Sequence, residues 1–599
     1  MAELSALSVL TPDVLVVGGG MAGVMAALAA KTPGHRVLVV EPANILGGQG
    51  TVGGVAGFCG DTARVNAPFA ELVERLTRHG LIEPYRPNND RRAYDLEWCA
   101  FFLQEMVVGA GIDVLFHSRV IAASAVAGRV TELTLASAGG LHHVRPRIVI
   151  DASGACVVPV LAGFPVMHEG ANRQLPMSLY FTLWDTGRPV TPILPEGCPR
   201  WRDDREIPMT SLHRFPSGKV EVKMKVVGFD AADGLSRSAA EVFARRQMHG
   251  LIYYLQTVGY RGRRLDTHVL ASVSRAIGVR EERRIVGEHV LTEAEVRREV
   301  IFPDVVAVNT YHIDFHWPDR AERAGTGITD QLDPHHLPLR MMIPRGARNL
   351  IVPGRGASAD QTAMSAFRVM AVVAQMGFAA GHAARLALAC GCDWNGLDMT
   401  ALQAALEADG QSLNLSDDGD YLRYDRLVDE PITNAPAPSG AVRELVIMAL
   451  PNAGFRVSWC DDAGGHALER REKRWAPVEP EAGDYARPPM NARTTAIRMD
   501  DSRLARVGVQ ADGLRSELSA DGGASWFMGT DLVVGGVAGV TPAAVATRTG
   551  LAVAYVTMAG GLRFWHGSVE RLAGEALVPS ALRLDSPPDD VQEAPLLRA

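Results

Sequence analysis

The sequence predicts an α/β fold whose core is a sheet with helices on its faces, followed by an all-β segment. Two observations support this prediction. Residues 13–41 read as a strand, a glycine-rich turn, a helix and a second strand that ends on an acid. Residues from about 440 to 585 instead show short strands separated by Gly, Asn and Asp turns. The chain has 599 residues, 47% of them hydrophobic, which is enough to fill two or three cores.

The glycine-rich turn has the spacing of a dinucleotide-binding loop. Gly18, Gly20 and Gly23 follow an apolar strand in the pattern GxGxxG. The first glycine permits a tight turn, the second lets a pyrophosphate approach the backbone, and the third lets the helix pack closely on the strand. Glu41 ends the next strand, where a carboxylate can accept the hydroxyls of an adenosine ribose. We therefore predict a Rossmann-like nucleotide-binding domain.

Composition and charge exclude several classes of protein. The formal net charge of −8 opposes binding to nucleic acid. No stretch reaches the ~20 apolar residues needed to span a bilayer, and the N-terminus does not resemble a secretion signal. The seven Cys are scattered, and only Cys390 and Cys392 lie close together. We therefore expect reduced thiols, no metal site and a cytoplasmic protein.

Three further segments suggest that the bound dinucleotide carries a flat ring. Residues 46–54 form a second glycine-rich loop, whose backbone could pack on such a ring. A strand then ends in the sequence Asp-Ala-Ser-Gly at 151–154, and another leads into the turn at 354–358. One long helix is predicted from about Gln361 to Cys390.

The long helix contains Gly377 and Gly381, which are open to two interpretations. Small residues there could allow close approach to the cofactor. They could equally serve only to let two helices pack.

In their order, these motifs resemble those of the FAD-dependent oxidoreductases, two-dinucleotide-binding-domain flavoproteins distantly related to fumarate reductase flavoproteins. The matching stretches are VVGGGMAG from Val16, LGGQGTVGG from Leu46, VIDASG from Val149, IPRGARNLIVPGR from Ile343 and FRVMAVVAQMGFAAGHAA from Phe367. One departure is that Ala155 and Cys156 follow Gly154, where the family commonly has an acid.

The resemblance implies an extended, non-exchanging FAD as cofactor. It also implies that the long helix points its N-terminal dipole at the flavin pyrimidine. The residues predicted on this basis to bind FAD are Gly18, Gly20, Met21, Ala22, Gly23, Glu41, Pro42, Gly47, Gly48, Gln49, Thr51, Val120, Ala152, Gly154, Gly354, Arg355, Ser358 and Arg368.

The predicted architecture is a Rossmann-like FAD-binding domain with an inserted α+β substrate domain, followed by a C-terminal all-β domain. The FAD-binding domain would comprise 1–162 and 340–395, with the insertion at 163–339. A helical segment and Pro-rich linker would span 396–439, and a β-sandwich-like domain 440–599. Within the last, Ser519, Asp521, Gly523 and Trp526 match an Asp box, a motif that stabilises a β-hairpin.

A polar stretch of the insertion could handle protons. Alternation from Asn309 to His316 predicts one strand with His312, Asp314 and His316 on the same face. These groups could act as a general base or acid beside the flavin, bind a divalent metal, or form a solvated or ion-paired surface. The family resemblance favours the catalytic role, because relatives often place such a strand on the substrate side of the flavin.

Arginine side chains are the second group of candidate functional residues. The fork of a guanidinium group suits a carboxylate or another polar substrate, and Arg280 and Arg340 are the preferred candidates. Cys59 follows the second glycine loop but has no CxxC partner, so we expect it to be structural.

These observations predict an oxidoreductase that transfers a hydride between a small polar organic substrate and flavin N5, with a histidine handling the paired proton. Its electron acceptor is not identified. The alternative is a flavin-containing binding or assembly protein, whose all-β domain would recognise a partner or a polymeric substrate, or join the subunits of a homo-oligomer. A flavoprotein that modifies nucleic acid is set aside because of the negative charge.

Overall fold

The structure is a computed structural model, and its described residues form two compact units that divide between residues 415 and 416. In the first unit the described residues are 8–84, 92–215, 218–298, 300, 302–321, 328–330, 332 and 334–413. In the second they are 428–432, 443–449, 455–471, 474–479, 494–498, 504–510, 513–519, 531–533, 542–546, 550–556 and 562–568.

A five-stranded parallel sheet forms the core of the first unit. Two of its strands, Val14–Val17 and Val37–Val40, are buried along their whole length, as expected when helices cover both faces of a sheet. The predicted α/β class is confirmed. The spatial order of the strands is Leu350–Ile351, Ile148–Asp151, Val14–Val17, Val37–Val40 and Asp113–Leu115.

Helix Met21–Ala30 packs directly against helix Met370–Cys390. A Cβ atom added to Gly377 would lie 2.0 Å from the carbonyl oxygen of Ala22, and one added to Gly381 would lie 2.3 Å from another carbonyl oxygen of the same helix. Only glycine allows so close an approach of two backbones. Of the two interpretations of these glycines, the structure supports helix packing.

The single helix predicted over 361–390 is in fact two helices. Gln361–Phe367 and Met370–Cys390 meet at an angle of 93°, because Val369 between them is extended. No single helix in the described part of the chain is long and apolar enough to cross a membrane, although this bent pair passes the same test when its members are combined.

The expectation of seven reduced cysteines is wrong for one pair. Cys390 and Cys392 form a disulfide at the C-terminal end of helix Met370–Cys390, with their Cα atoms 5.3 Å apart. Gly391 between them has φ 66°, a left-handed conformation that glycine adopts without strain. The described cysteines that are not in this disulfide are Cys59, Cys99, Cys156, Cys198 and Cys460.

The insertion contains an antiparallel sheet with a long helix, Gly234–Thr257, packed on it. The sequence predicts this helix over 238–258, from its helical periodicity, and two strands of the sheet over 177–184 and 219–229. The spatial order of the sheet is Thr210–Arg214, Lys219–Val226, Met177–Asp185 and His268–Val273.

The polar stretch 309–316 is not one strand. Val305–Asn309 and Ile313–Phe315 pair with different strands. The Asn309 side chain accepts a hydrogen bond from the Tyr311 N–H (3.1 Å) and donates one to the Tyr311 carbonyl (3.0 Å). This local turn replaces the strand ladder. His312, Asp314 and His316 were predicted to share one face of a strand, but they do not lie on one regular strand.

Smaller elements complete the first unit. The remaining helices are Ala67–Arg78, Leu96–Gly109, Val157–Leu161, Glu293–Arg298 and Met399–Ala408. The remaining sheets are Ser8–Leu10 with Gly140–Val144, Arg129–Ser137 and Arg119–Val126; Gly57–Phe58 with Arg92–Tyr94 and Ile82–Pro84; and the pairs Val166–His168 with Arg283–Ile285, Val305–Asn309 with His335–Pro338, and Ile313–Phe315 with Ile328–Asp330.

The described elements of the second unit are all strands, in three antiparallel four-stranded sheets. One begins with Val428–Pro431, so Pro431 lies in a strand and not in the predicted linker. Ser519 of the Asp box ends a strand, and the rest of that motif lies outside the described residues. The sheets are Val428–Pro431, Leu562–Ser568, Gly550–Val556 and Ala543–Ala546; Arg443–Ala449, Phe455–Asp461, Gly464–Arg471 and Arg474–Val478; and Thr494–Arg498, Leu504–Gln510, Gly513–Ser519 and Asp531–Val533.

Candidate active site

A cleft of about 850 Å³ opens at the carboxyl ends of strands Val14–Val17 and Val37–Val40. This edge of a parallel sheet is where α/β proteins bind nucleotides. Most of the predicted cofactor-binding residues line it: Gly18, Gly20, Met21, Ala22, Glu41, Pro42, Gly47, Gly48, Gln49, Val120, Ala152, Gly154, Gly354, Arg355 and Arg368.

Gly20 and Gly23 of the first loop lie in different surroundings. A Cβ atom added to Gly20 would meet only the Gly48 Cα atom, at 3.9 Å, so this position leaves room beside the backbone for a ligand. A Cβ atom added to Gly23 would lie 1.9 Å from the Gly18 carbonyl oxygen. Helix Met21–Ala30 has no side-chain cap, so its first amides can meet an anion in the cleft.

Glu41 is fixed in the cleft wall. One of its carboxylate oxygens accepts a hydrogen bond from the Gly19 N–H (2.7 Å) and the other accepts one from the Ala43 N–H (2.8 Å). Burial raises the pKa of Glu41, while these two bonds act in the opposite direction. The position and the remaining lone pairs suit the hydroxyls of a ribose.

Arg355 places a positive charge in the wall of the cleft. Its Nε donates to the Gly154 carbonyl at 3.1 Å. Burial lowers its pKa to about 10, so the guanidinium still carries its charge at neutral pH. Together with the open glycine loop and the fixed carboxylate, this cation fits the pyrophosphate of an extended FAD.

Three predicted cofactor contacts lie elsewhere. Gly23 faces the strand, as described above. The Thr51 hydroxyl donates to the Leu46 carbonyl at 2.6 Å and braces the second glycine loop from within. Ser358 is buried, with its N–H donating to the Met341 carbonyl at 2.8 Å, and it does not line the cleft.

A smaller cavity of about 170 Å³ adjoins the cleft. Four residues line both spaces, namely Gln49, Arg355, Arg368 and Met370. A cofactor bound in the cleft would therefore be adjacent to any small molecule bound in the cavity. The polar residues of its wall are Cys59, Ser178, Tyr180, Ser211, His213, Glu221, Lys223, Arg280, Tyr311, Asp314 and His316.

Asp314 stands at the centre of a charged cluster in this wall. Arg368 Nη2 donates to its Oδ2 at 2.7 Å, and Nε2 of His316 lies 3.1 Å from its Oδ1. Burial alone would raise the pKa of Asp314, but the charges of His316 and Arg368 outweigh it and hold the pKa well below its usual range. The carboxylate thus stays ionised and orients the imidazole.

His312 occupies a different position from the other two residues of its predicted group. It is buried, its ring packs on Tyr311 with centroids 4.1 Å apart, and it does not line the cavity. Within the described ranges no three His, Cys, Asp or Glu side chains are arranged to hold a metal ion, so the structure does not support the metal-binding alternative.

Arg280 lies in the cavity wall, as predicted. Its Nη1 donates to the Pro176 carbonyl and to the Ser178 hydroxyl, both at 2.7 Å. Its other N–H groups form no hydrogen bond, and its charge forms no ion pair, with any residue of the described part of the chain. Burial, followed by the nearby charge of Arg368, lowers the pKa of Arg280.

Arg340 does not belong to this site, which corrects its selection as a catalytic candidate. Its Nε and Nη2 donate to the two carboxylate oxygens of Asp304 at 2.9 and 3.1 Å. The side chain is 48% exposed and lines neither the cleft nor the cavity.

Sequence reasoning missed Tyr180, His213, Glu221 and Lys223, which line the cavity from the inserted sheet. Both central strands of that sheet were predicted, and the alternation of Lys219, Glu221 and Lys223 shows which side chains share a face. Alternation alone does not show that this face meets the cofactor domain.

Comparison with known proteins identifies the family. The model of a family described as FAD dependent oxidoreductase matches residues 13–406. Digeranylgeranylglycerophospholipid reductase 2 of Methanopyrus kandleri is 32% identical over 155 residues, which span 24% of this chain and only 37% of that relative.

Solved structures with a similar arrangement include two flavoproteins. A geranylgeranyl bacteriochlorophyll reductase-like protein of Thermoplasma acidophilum is 14% identical, with a TM-score of 0.38, and the match covers 67% of this chain and 84% of that one. The myxobacterial chondrochloren halogenase is 14% identical, with a TM-score of 0.39 and coverage of 67% and 79%. The family match over most of the chain is the decisive finding: this protein belongs to the FAD-dependent oxidoreductases, and it is an enzyme with FAD as its cofactor.

Proposed function

We propose that the enzyme transfers a hydride between a small organic acid and flavin N5, and that the acid binds in the 170 Å³ cavity. Bound FAD supplies the two-electron chemistry. The observation that supports an acidic substrate is Arg280, a half-buried cation in the cavity wall that forms no ion pair with any described residue. A guanidinium partly shielded from water attracts a carboxylate more strongly than an exposed one does.

The cavity also favours a small substrate over a lipid. The curated relative is named as a reductase of a digeranylgeranyl phospholipid. The cavity of this chain is small, and its wall contains Arg280, Asp314, His316, Glu221 and Lys223. A long prenyl chain would leave those polar groups without partners, at a cost in binding free energy.

His316 is the group that we expect to handle the proton. It lines the cavity, and Asp314 holds its Nε2. Arg368 in turn holds Asp314, so the imidazole is oriented by a fixed carboxylate. In this arrangement Arg280 binds the substrate acid, His316 gives or takes a proton, and Asp314 and Arg368 act as positioning residues.

The proposal can be tested by anaerobic reduction of the holoenzyme with a panel of small hydroxy and saturated acids, followed through the loss of oxidised flavin absorbance. His316→Gln should slow flavin reduction by about 100-fold or more, the usual effect of losing a general acid or base. His79→Gln is the matched control, because the exposed His79 lines neither the cleft nor the cavity.

Arg280→Met should raise the substrate concentration needed for half-maximal reduction by about 10- to 100-fold, as expected for a lost charged hydrogen bond. Arg340→Met removes an arginine that already pairs with Asp304 outside the cavity, so its kinetics should match those of the unmodified enzyme. Equal reduction by acids and by their amides would contradict the assignment of Arg280.

All the residues that line the cleft and the cavity belong to the first unit. We propose that the second unit binds a partner protein or a further subunit, while the first carries out the chemistry. The reading of the whole chain as a non-catalytic binding protein is not favoured, because the chain belongs to an enzyme family.

A further inference from the structure

We propose that Tyr180 and Glu221 form an oxyanion-binding subsite, in which two hydrogen-bond donors hold a substrate oxygen that gains negative charge. The inference rests on the proposed function, since it places the substrate in the same cavity. It narrows the substrate class to organic acids with a second oxygen at the reacting part of the molecule, as in hydroxy, oxo and phenolic acids.

The surroundings of the Glu221 carboxyl group are the first evidence for this subsite. Its side chain lines the cavity, and the residue is only 6% exposed. Its Oε2 is buried without a hydrogen-bond partner, and the carboxyl group forms no hydrogen bond or ion pair with any described residue. A buried carboxyl group without partners is unfavourable, so a partner supplied by a ligand accounts for its place in the wall.

The position of Tyr180 beside Glu221 is the second piece of evidence. In the antiparallel pair, Tyr180 lies opposite Lys223, and Thr182 lies opposite Glu221. Tyr180 and Glu221 are therefore diagonal neighbours on one face of the sheet, within reach of a common ligand. Tyr180 lines the cavity, and its hydroxyl forms no hydrogen bond with any described residue.

The protonation states of Glu221 and Tyr180 allow both side chains to donate a hydrogen bond. Burial raises the pKa of Glu221 to about 8, although the charges of Lys219 and Lys223 act in the opposite direction. Burial likewise raises the pKa of Tyr180. Both groups thus carry their protons at pH 7. The other titratable and charged groups around Glu221 are Lys219 and Lys223 on its own strand, His213 on the next strand, Tyr180 on the strand opposite, and Arg280.

A tyrosine and a neutral carboxylic acid are suited to an oxyanion, because neither adds a negative charge that would oppose it. Arg280 lies near Tyr180 and lowers the pKa of its phenol by its charge, although burial has the larger effect. The cation and the two neutral donors therefore lie together in one cavity, one suited to a carboxylate and the others to a second oxygen.

The test uses 4-nitrophenol and the oxidised holoenzyme, because the visible absorbance of this probe reports its ionisation directly. We expect the probe to bind as phenolate at a pH where it is mostly neutral in solution. Tyr180→Phe and Glu221→Leu should each weaken phenolate binding by about 10- to 100-fold, the effect of one lost hydrogen bond to a charged group. Glu221→Gln should retain most of the affinity, because its amide still donates an N–H.

An ionised Glu221 would give the opposite result. Removal of a negative charge by Glu221→Leu or Glu221→Gln would then tighten phenolate binding, which would overturn the proposal. Absence of phenolate binding to the unmodified holoenzyme, or unchanged binding in both the Tyr180→Phe and Glu221→Leu variants, would overturn it as well. Tyr253→Phe is the control, because Tyr253 lies outside the cavity wall.

The measurement involves no turnover, so it separates this subsite from the proposed function. If phenolate binds as expected but no acid reduces the flavin, the hydride-transfer proposal fails and the subsite stands. If acids reduce the flavin but phenolate does not bind, only the subsite fails. The flavin spectrum of each variant shows whether the holoenzyme has folded.

Discussion

A single nitrogen of Arg368, Nη2, donates to both the carboxylate and the main-chain carbonyl of Asp314, at 2.7 and 2.9 Å. Arg368 ends helix Gln361–Phe367 at the sharp bend, so this contact ties the bend to strand Ile313–Phe315. Since Asp314 also holds His316, the bend helps to position the candidate proton-handling group.

The Arg368–Asp314 contact predicts different effects for two neighbouring substitutions. Asp314→Asn leaves the Arg368 charge buried without its partner, so it should destabilise the first unit by about 3 kcal/mol, measured as a lower temperature of flavin release. His316→Gln should change that temperature little and act mainly on the rate of flavin reduction. A stable Asp314→Asn variant would show that the ion pair does not support the bend.

Substitutions at two glycines of the first loop should have different effects, one on the retention of FAD and the other on folding. Gly20→Val places a side chain in open space on the cleft side of the loop, so the protein should fold but fail to retain FAD. Gly23→Val places atoms against the Gly18 carbonyl, where the Cβ position is 1.9 Å away, so little folded protein should form. Flavin absorbance and circular dichroism of the purified proteins distinguish these outcomes. A yellow Gly20→Val protein would contradict the assigned path of the cofactor.

Glu221 predicts a pH dependence of stability. The folded protein keeps this proton up to a pH of about 8, whereas an ordinary glutamate loses it near 4.5. The folded state therefore binds more protons in this window, and its stability falls as the pH rises through it. Glu221→Gln should raise the free energy of unfolding at pH 9 by on the order of a few kcal/mol, which is measured as a higher unfolding temperature. At pH 4 the substitution should change the unfolding temperature little.

The exposed Glu196→Gln is the matched control for that experiment and should leave the unfolding temperature unchanged at both pH values. Equal unfolding temperatures of Glu221→Gln and the unmodified protein at pH 9 would show that Glu221 titrates like an exposed glutamate. That outcome would also weaken the case for a proton on Glu221 at pH 7.

The division between residues 415 and 416 predicts that the first unit folds alone. A chain that ends after residue 413 should be soluble and yellow, because all residues that line the cleft precede this point. Size-exclusion chromatography with flavin detection tests this expectation. Aggregation of the shortened chain, with the full chain as control, would instead make the second unit necessary for folding.

The sequence was most informative where local signals coincide. The sequence predicts strands over 14–17 and 37–40, because each is an apolar run with a turn or an acid at its end, and the structure has Val14–Val17 and Val37–Val40. The sequence also predicts a short helix over 399–408, and the structure has Met399–Ala408, which Asp398 caps by accepting from the Ala401 N–H.

The departures from prediction depend on contacts that no local pattern contains. The apolar periodicity continues through Val369, so it gave no sign of the bend that Arg368 makes towards Asp314. The alternation after Asn309 looked like a strand, but the asparagine side chain satisfies the next backbone groups and ends it. Glu221 was not recognised because the cavity it lines is formed by segments distant in sequence.

The backbone contact at Gly377 and Gly381 has a consequence for how the enzyme holds its cofactor. It joins helices Met21–Ala30 and Met370–Cys390, and the starts of both helices line the cleft. No side chain at the contact can change rotamer and let the helices slide, so the two starts keep a fixed spacing. We therefore expect the binding site to be preformed in the protein without flavin, so that FAD binding requires little ordering of the chain.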